Sequence, residues 1–190
     1  RLDTSFNEYY DIGGTAQSHD ANGNLTNDGA NLYTWDAFNR LSALYHVGDP
    51  NLMESYLYDA HNRRVKRDVS SGSDVDTEYY YDGWQLVQEH QNGYSWPARQ
   101  FVYGSYIDEP LMMDDGYYYF YHHNPLFSVY GLSDDSGDLV ETYEYDPYGK
   151  QTVDGTPGAA SSYGNPYMFT GRRFDPESGL MYYRMRYYDT

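Results

Sequence analysis

Few residues of this chain are of a type and spacing that could do chemistry. His122-His123 is the metal-like pair, but neighbours in a strand point to opposite faces, so the two do not readily share one ion. Asp134-Asp135-Ser136-Gly137-Asp138 is as oxygen-rich as a calcium loop. It lacks the twelve-residue ligand spacing and the closing bidentate Glu, so turn capping is the first reading and weak calcium binding the most to expect. No other cofactor is expected. Nucleophilic catalysis has no candidate: there is no Cys, no G-x-S-x-G elbow and no Ser/His/acid set at an assembling spacing. The chain therefore reads as non-enzymatic. Arg172, Arg173, Arg184 and Arg186 stand out because four of the 12 basic residues fall in the last turns of an acidic chain. An anion site is one reading. The simpler one stacks the guanidinium planes on Tyr182, Tyr183, Tyr187 or Tyr188 and pairs them with Asp175, Glu177 or Asp189.

The elements that would position these groups are strands. The chain has 26 Tyr against 7 Phe and 3 Trp, and tyrosine suits half-buried pleated surfaces where the ring packs and the hydroxyl finds a partner. With 18 Gly and 8 Pro in an Asp/Asn-rich background, this composition predicts short strands and many turns. No segment holds a helical period beyond one turn. The fold class is all-β, antiparallel hairpins laid side by side into a curved, Tyr-rich sheet.

An aromatic-Asp unit with Gly or Asn shortly after it recurs along the chain. It appears as Tyr10-Asp11-Ile12-Gly13-Gly14, Trp35-Asp36-Ala37-Phe38-Asn39, Tyr58-Asp59-Ala60-His61-Asn62 and Tyr145-Asp146-Pro147-Tyr148-Gly149, with His19-Asp20-Ala21-Asn22-Gly23 as a variant. Each reads as a hairpin corner. The Asp side chain accepts backbone N–H groups ahead of it, and Gly or Asn takes the positive φ at which the chain turns back. Asp82-Gly83 marks a shorter turn, and Asn92-Gly93 a two-residue turn between strands Leu86–Gln91 and Tyr94–Tyr103. Val153–Ser162 reads as an exposed loop, and Ser70–Asp74 as a loop between strands.

The last stretch, Asn165–Asp189, reads NPYMFTGRRFDPESGLMYYRMRYYD. Asp175-Pro176-Glu177-Ser178-Gly179 is a turn, with Asp175 as its corner, and Leu180–Tyr188 is a strand. Alternation puts Tyr182, Arg184, Arg186 and Tyr188 on one face, and Tyr183, Met185 and Tyr187 on an apolar face that packs inward. This stretch closely resembles the Rhs core-associated motif, which ends the tyrosine-aspartate (YD) repeat shell of Rhs proteins and of the cocooning subunits of toxin complexes. The preceding run from Tyr117 to Lys150 is similar to the family's approach to that motif. There His122 fits, while Asn124, Pro125 and Phe127 depart from the usual H-x-D-H-L-G-S. On this pattern residues 1–116 are YD-repeat hairpins and 117–190 the core-associated region, one continuous β structure.

The resemblance implies a structural shell segment of a longer parent that encloses or displays a variable C-terminal domain, often a toxin. The family's aspartyl autoprotease residues lie beyond the motif, so no catalytic residue carries over to this chain. Expected partners are neighbouring repeats of the parent chain and an encapsulated C-terminal domain, with self-association through free sheet edges. The rival reading is a surface adhesion or assembly module. A net charge of −17 disfavours nucleic acid, no apolar run is long enough for a membrane span, and the acidity suits a secreted or cell-surface protein.

Overall fold

The computed structural model describes residues 2–3, 8–49, 51–70 and 75–190. The Ser70–Asp74 loop thus lies almost wholly outside the described residues. Two compact units are formed, Arg1–Asp76 and Thr77–Thr190; the change of sequence pattern at 116/117 falls inside the second.

In the first unit two short antiparallel pairs, β1 (Leu2–Asp3) with β2 (Glu8–Tyr9) and β3 (Asp11–Ile12) with β4 (Thr15–Ala16), come first. A run in which each strand pairs antiparallel with the next follows: β5 (Ser18–His19), β6 (Leu25–Asn27), β7 (Asn31–Trp35), β8 (Leu41–His46), β9 (Leu52–Tyr58) and β10 (Arg64–Val69). The second unit continues in the same style with β11 (Thr77–Asp82), β12 (Gln85–Gln91), β13 (Arg99–Tyr103), β14 (Pro110–Asp114) and β15 (Tyr118–His123). Next come β16 (Val129–Ser133), β17 (Leu139–Tyr145), β18 (Gln151–Val153) and β19 (Thr156–Pro157). A single 3₁₀ turn, Phe169–Gly171, leads to a separate three-stranded sheet of β20 (Arg173–Asp175), β21 (Leu180–Tyr182) and β22 (Tyr187–Tyr188). The protein is all-β and antiparallel.

One five-residue corner builds six of these hairpins. At Asp36 the Phe38 and Arg40 N–H groups both donate to Oδ1, at 2.8 and 3.0 Å. Asn39 N–H donates to the Asp36 carbonyl at 3.0 Å, and Asp36 N–H to the Arg40 carbonyl at 2.9 Å. The same four bonds recur at Asp20, Asp59, Asn124, Asp134 and Asp146, all within 2.8–3.1 Å. The fourth residue carries the positive φ each time: Gly23, Asn39, Asn62, Phe127, Gly137 and Gly149, between 58° and 97°. Asp11 sits differently, in a tight turn over Gly13-Gly14 with Gly14 N–H on its Oδ1 at 3.2 Å.

The aromatic before the corner acts as a clasp. Trp35 Nε1 donates to the Leu25 carbonyl at 2.7 Å, Tyr58 OH to Leu41 at 2.8 Å and Tyr145 OH to Val129 at 2.7 Å. Each acceptor lies five residues past an earlier corner (Asp20, Asp36 and Asn124). A ring that fills space and also carries a donor is what this place needs, which selects Tyr or Trp over Phe. Corners are stitched to each other as well. Asn39 Oδ1 accepts from Asn22 and Asn24 Nδ2 at 3.0 and 2.9 Å, and Asn62 Oδ1 from Arg40 Nη1 at 3.0 Å.

Two expectations on loops are corrected. Asn92 and Gly93 do turn the chain at φ 51° and 71°, but pairing resumes only at Arg99, opposite Glu89. Pro97, which has no N–H, sits in the intervening excursion, where the rings of Tyr94 and Trp96 stack at 4.9 Å. Val153–Ser162 is a hairpin over Asp154-Gly155 rather than an open loop, and its far end is anchored on Glu141.

The second unit's core lies on the inner face of its sheet. Tyr79, Leu86, Phe101, Met113, Tyr121, Leu132, Tyr143 and Val153 form it, and Tyr167, Met168, Phe174 and Met181 from the last stretch cover it. The clasp gives a direct test. Tyr145→Phe leaves the Val129 carbonyl without its donor and should destabilise by about 1 kcal/mol in urea unfolding. Tyr148→Phe, three residues from the half-buried clasp on an exposed ring, should change nothing measurable.

Candidate functional site

The closing stretch is tied to the sheet by buried polar groups. Asn165 is the most fully used. Its Oδ1 accepts Tyr121 OH at 2.9 Å and Tyr167 N–H at 2.8 Å, and its Nδ2 donates to Tyr143 OH at 2.9 Å and the Tyr167 carbonyl at 2.8 Å. Glu141, also buried, accepts from Tyr143 OH, from Ser161 Oγ at 2.5 Å and from Ser162 N–H at 2.7 Å. Tyr103 and Tyr167 share a hydroxyl–hydroxyl bond of 2.6 Å. Burial drives Tyr103, Tyr121, Tyr143 and Tyr167 above the usual phenol range, so all four stay neutral donors.

At the centre sits Glu89, 0 % exposed. Arg99 Nη1 reaches it at 2.9 Å from β13 and Arg173 Nη1 from β20, across 84 residues of chain. Arg173 lies over the Tyr79 ring at 4.9 Å, with Nε 3.7 Å from the buried Asp175 carboxylate. Burial alone would raise the Glu89 pKa. Arg173 and Arg99 outweigh it and hold the group at about 2, so it is an anion throughout the ordinary pH range.

The other arginines gather on Asp108. Arg172 Nη2 lies 2.9 Å from one oxygen and Arg184 Nη2 against the other. The Tyr183 ring has Arg172 over it at 5.0 Å and Arg186 at 5.6 Å. Burial first, and then Arg184, press Arg172 below its ordinary pKa against the pull of Asp108. Tyr182 packs on Tyr187 and Tyr183 on Tyr188, with centroids at 5.5 and 5.6 Å, and Tyr188 OH donates to the Tyr148 carbonyl at 2.6 Å.

Three expectations about this stretch change. Leu180–Tyr188 is two short strands, because Arg184 takes φ +61° and Tyr183 N–H closes on the Arg186 carbonyl at 2.8 Å. The expected two faces therefore do not exist, and Met185 projects to solvent, 61 % exposed, while Met181 packs inward. Asp108, which the sequence did not single out, pairs with Arg172 and Arg184, while Asp175 lies 3.7 Å from Arg173. No Gly, Asn or Pro marks this turn, so nothing local announces it. The contact of Arg184 with Asp108 holds it from outside. The Asp175 turn is closed through the backbone, with Gly179 N–H on the Asp175 carbonyl at 2.9 Å.

Asp134 and Asn124 are corners that the aromatic-Asp pattern missed, because Ser133 and His123 precede them. The Asp-x-x-Gly spacing to Gly137 is a signal for the first, whereas Phe127, in the glycine place of the second, gives none. His122 Nε2 bonds Ser133 Oγ at 2.9 Å, and His123 packs on the Phe127 ring at 5.5 Å. The two histidines thus face different neighbours.

Beyond the Asp146 corner the following hairpin and the closing stretch fold back onto residues 148–151. The clasp acceptor there, the Gln151 carbonyl, takes Gly158 N–H at 2.7 Å. A Cβ on Gly149, at φ +97°, would come within 2.5 Å of Phe169 Cδ1, so the corner needs glycine on both counts.

Glu89 gives a prediction in which the sign can be worked out. Its folded pKa is depressed, so its contribution is present above the ordinary carboxylate value of about 4.5 and is lost as pH falls toward 2. Glu89→Gln removes the nearest carboxylate from buried Arg173, leaving it Asp175 at 3.7 Å, and should cost about 3 kcal/mol near neutrality. In urea unfolding across pH, the gap between wild type and variant should narrow between about pH 4.5 and 2.

No family model matches the chain. It is 32% identical over 173 residues to the tRNA3(Ser)-specific nuclease WapA of Bacillus spizizenii, a match that covers 90% of this chain and 7% of the nuclease. Among solved structures it is similar to TcdB2-TccC3, at 17% identity and a TM-score of 0.64 over 90% of this chain and 9% of that one. It is also similar to TcdB2-TccC3 without its hypervariable C-terminal region, at 15% identity and a TM-score of 0.59 over 92% of this chain and 10% of that one. The chain spans less than a tenth of the curated relative's length. The fold is that of a stretch of the TcdB2-TccC3 chain, which fits a tyrosine-aspartate repeat protein.

Proposed function

We propose that this chain is a non-enzymatic wall segment of an Rhs-type YD-repeat protein, secreted or held at a cell surface. Its longer parent encloses or displays a variable C-terminal domain, often a toxin. The observation that carries this reading is the repeated unit of corner and clasp. A carboxylate or amide oxygen gathers two backbone N–H groups, and an aromatic donor grips the strand that leaves an earlier corner. Such a unit adds strands one after another and leaves one face of the second unit's sheet lined with Tyr79, Phe101, Met113, Tyr121 and Tyr143. Its charged and polar groups are used on each other, as expected of a wall. The relatives' names support the parent's role: one is a nuclease many times longer than this chain, and another is described by its hypervariable C-terminal region.

Partners in this reading are the repeats before Asp20 and the domain the parent carries. The contacts at Gln151, Tyr148 and Gly149 support an array that is covered beyond Asp146. No helix among the described residues is long and apolar enough to cross a membrane. This reading calls on no cofactor, and the Asp134 carboxylate caps its own turn.

Native mass separates the wall from an adhesion or assembly module. Light scattering across a hundredfold range of concentration should give the 22.1 kDa monomer throughout. Concentration-dependent growth would favour the assembly module. Intact mass after prolonged incubation at neutral pH should be unchanged, and a discrete cut at Asp146-Pro147 or Asp175-Pro176 would overturn the non-enzymatic reading.

A further inference from the structure

Seven described residues other than glycine have positive φ. Asn39, Asn62, Asn92 and Asp154 are of the types that tolerate it. The remaining three, Phe127, Thr170 and Arg184 (φ 63°, 52° and 61°), converge on one place. Phe127 and Thr170 line a surface pocket of about 430 Å³, and Arg184 holds Asp108 in its wall. Backbone strain in bulky and β-branched residues persists only where surrounding contacts impose it, and it concentrates at binding sites.

The contacts that impose it are aromatic and polar. The Phe127 ring stacks on Tyr106, with centroids at 4.7 Å and planes at 15°. Thr170 N–H donates to Ser128 Oγ at 2.9 Å, and its hydroxyl shares a bond of 2.8 Å with Tyr183 OH. Each sibling corner places Gly or Asn where Phe127 sits, so relaxing the strain needed only one substitution. Leu126, beside it on the rim, is 69 % exposed.

Arginines gather beside the pocket in a chain of net −17. Arg172, Arg184 and Arg186 gather at Asp108 and Tyr183, while the nearby Glu109 carboxylate takes Tyr106 N–H at 3.1 Å. The Arg172 side chain lines the pocket and keeps 20 % of its surface exposed beside its contact with Asp108, so the outer edge of the guanidinium is open to a ligand.

We propose that this pocket binds an acidic peptide segment of a partner protein. One apolar side chain seats between Leu126, Phe127 and Tyr183, and a neighbouring carboxylate lies against Arg172. Apolar walls supply contact area and the guanidinium selects the charge, the arrangement by which planar arginines recognise carboxylates.

Two minimal probes differing only in charge test it: acetyl-Phe-Asp-amide and acetyl-Phe-Asn-amide, titrated into ¹⁵N-labelled protein. The Asp peptide should shift the Leu126, Phe127, Thr170 and Tyr183 amides saturably with a Kd on the order of 1 mM, and the Asn peptide should bind about tenfold more weakly. Leu126→Asp, a change at an exposed position, should weaken the Asp peptide about tenfold without moving the unfolding midpoint. Absence of saturable shifts up to about 20 mM, equal affinity for the two peptides, or an unaffected Leu126→Asp variant would each overturn the proposal.

Discussion

The constraint on which this structure depends is a single side-chain oxygen that accepts two backbone N–H groups two and four residues ahead. A hairpin corner must turn the chain and still satisfy the amides left without a ladder partner. Asp does both at Asp20, Asp36, Asp59, Asp134 and Asp146, and Asn124 shows that an amide oxygen serves equally. The two bonds fix where the positive φ must fall, and that fixes the bulge and the register of the next strand. Strand pairing in both units follows from corners repeated at intervals of 10 to 23 residues between Asp20 and Asp59 and between Asn124 and Asp146.

Backbone ladders join each hairpin to the next, and the clasp adds a side-chain link, because Trp35, Tyr58 and Tyr145 each donate to a carbonyl on an earlier strand. This gives the abundance of tyrosine a physical cause: the ring packs, and the hydroxyl satisfies a buried acceptor that phenylalanine would leave bare. The second unit adds the buried Glu89 ion cluster. Buried charges are weak stabilisers against apolar replacements, yet removing one partner is costly. Glu89 therefore specifies where Arg173 must dock as much as it strengthens the fold.

Much of this was legible in the residues. Asp36-Ala37-Phe38-Asn39 and Asp59-Ala60-His61-Asn62 declare a corner through local chemistry, and the all-β class follows from composition and turn spacing. The parts that were not legible depend on distant residues. Arg184 turns the chain without a turn-forming side chain because Asp108, 76 residues earlier, holds it. Phe127 sits at a glycine-like φ because Tyr106 and His123 grip its ring. Glu89 and Arg173 give no local sign of meeting. Local rules read short-range geometry, and these sites are set by packing between segments far apart in the chain.

The central claim is that the corner needs an oxygen acceptor rather than a charge. Hydrogen exchange at the Tyr148 and Lys150 amides, both donors to Asp146 Oδ1 at 2.8 and 3.0 Å, tests it most directly. Asp146→Asn keeps the acceptor, as Asn124 does naturally, and should leave their protection within about threefold of wild type. Asp146→Ala removes it and should lower protection at both amides by about tenfold or more. Equal loss in the two variants, or no loss in Asp146→Ala, would contradict the account.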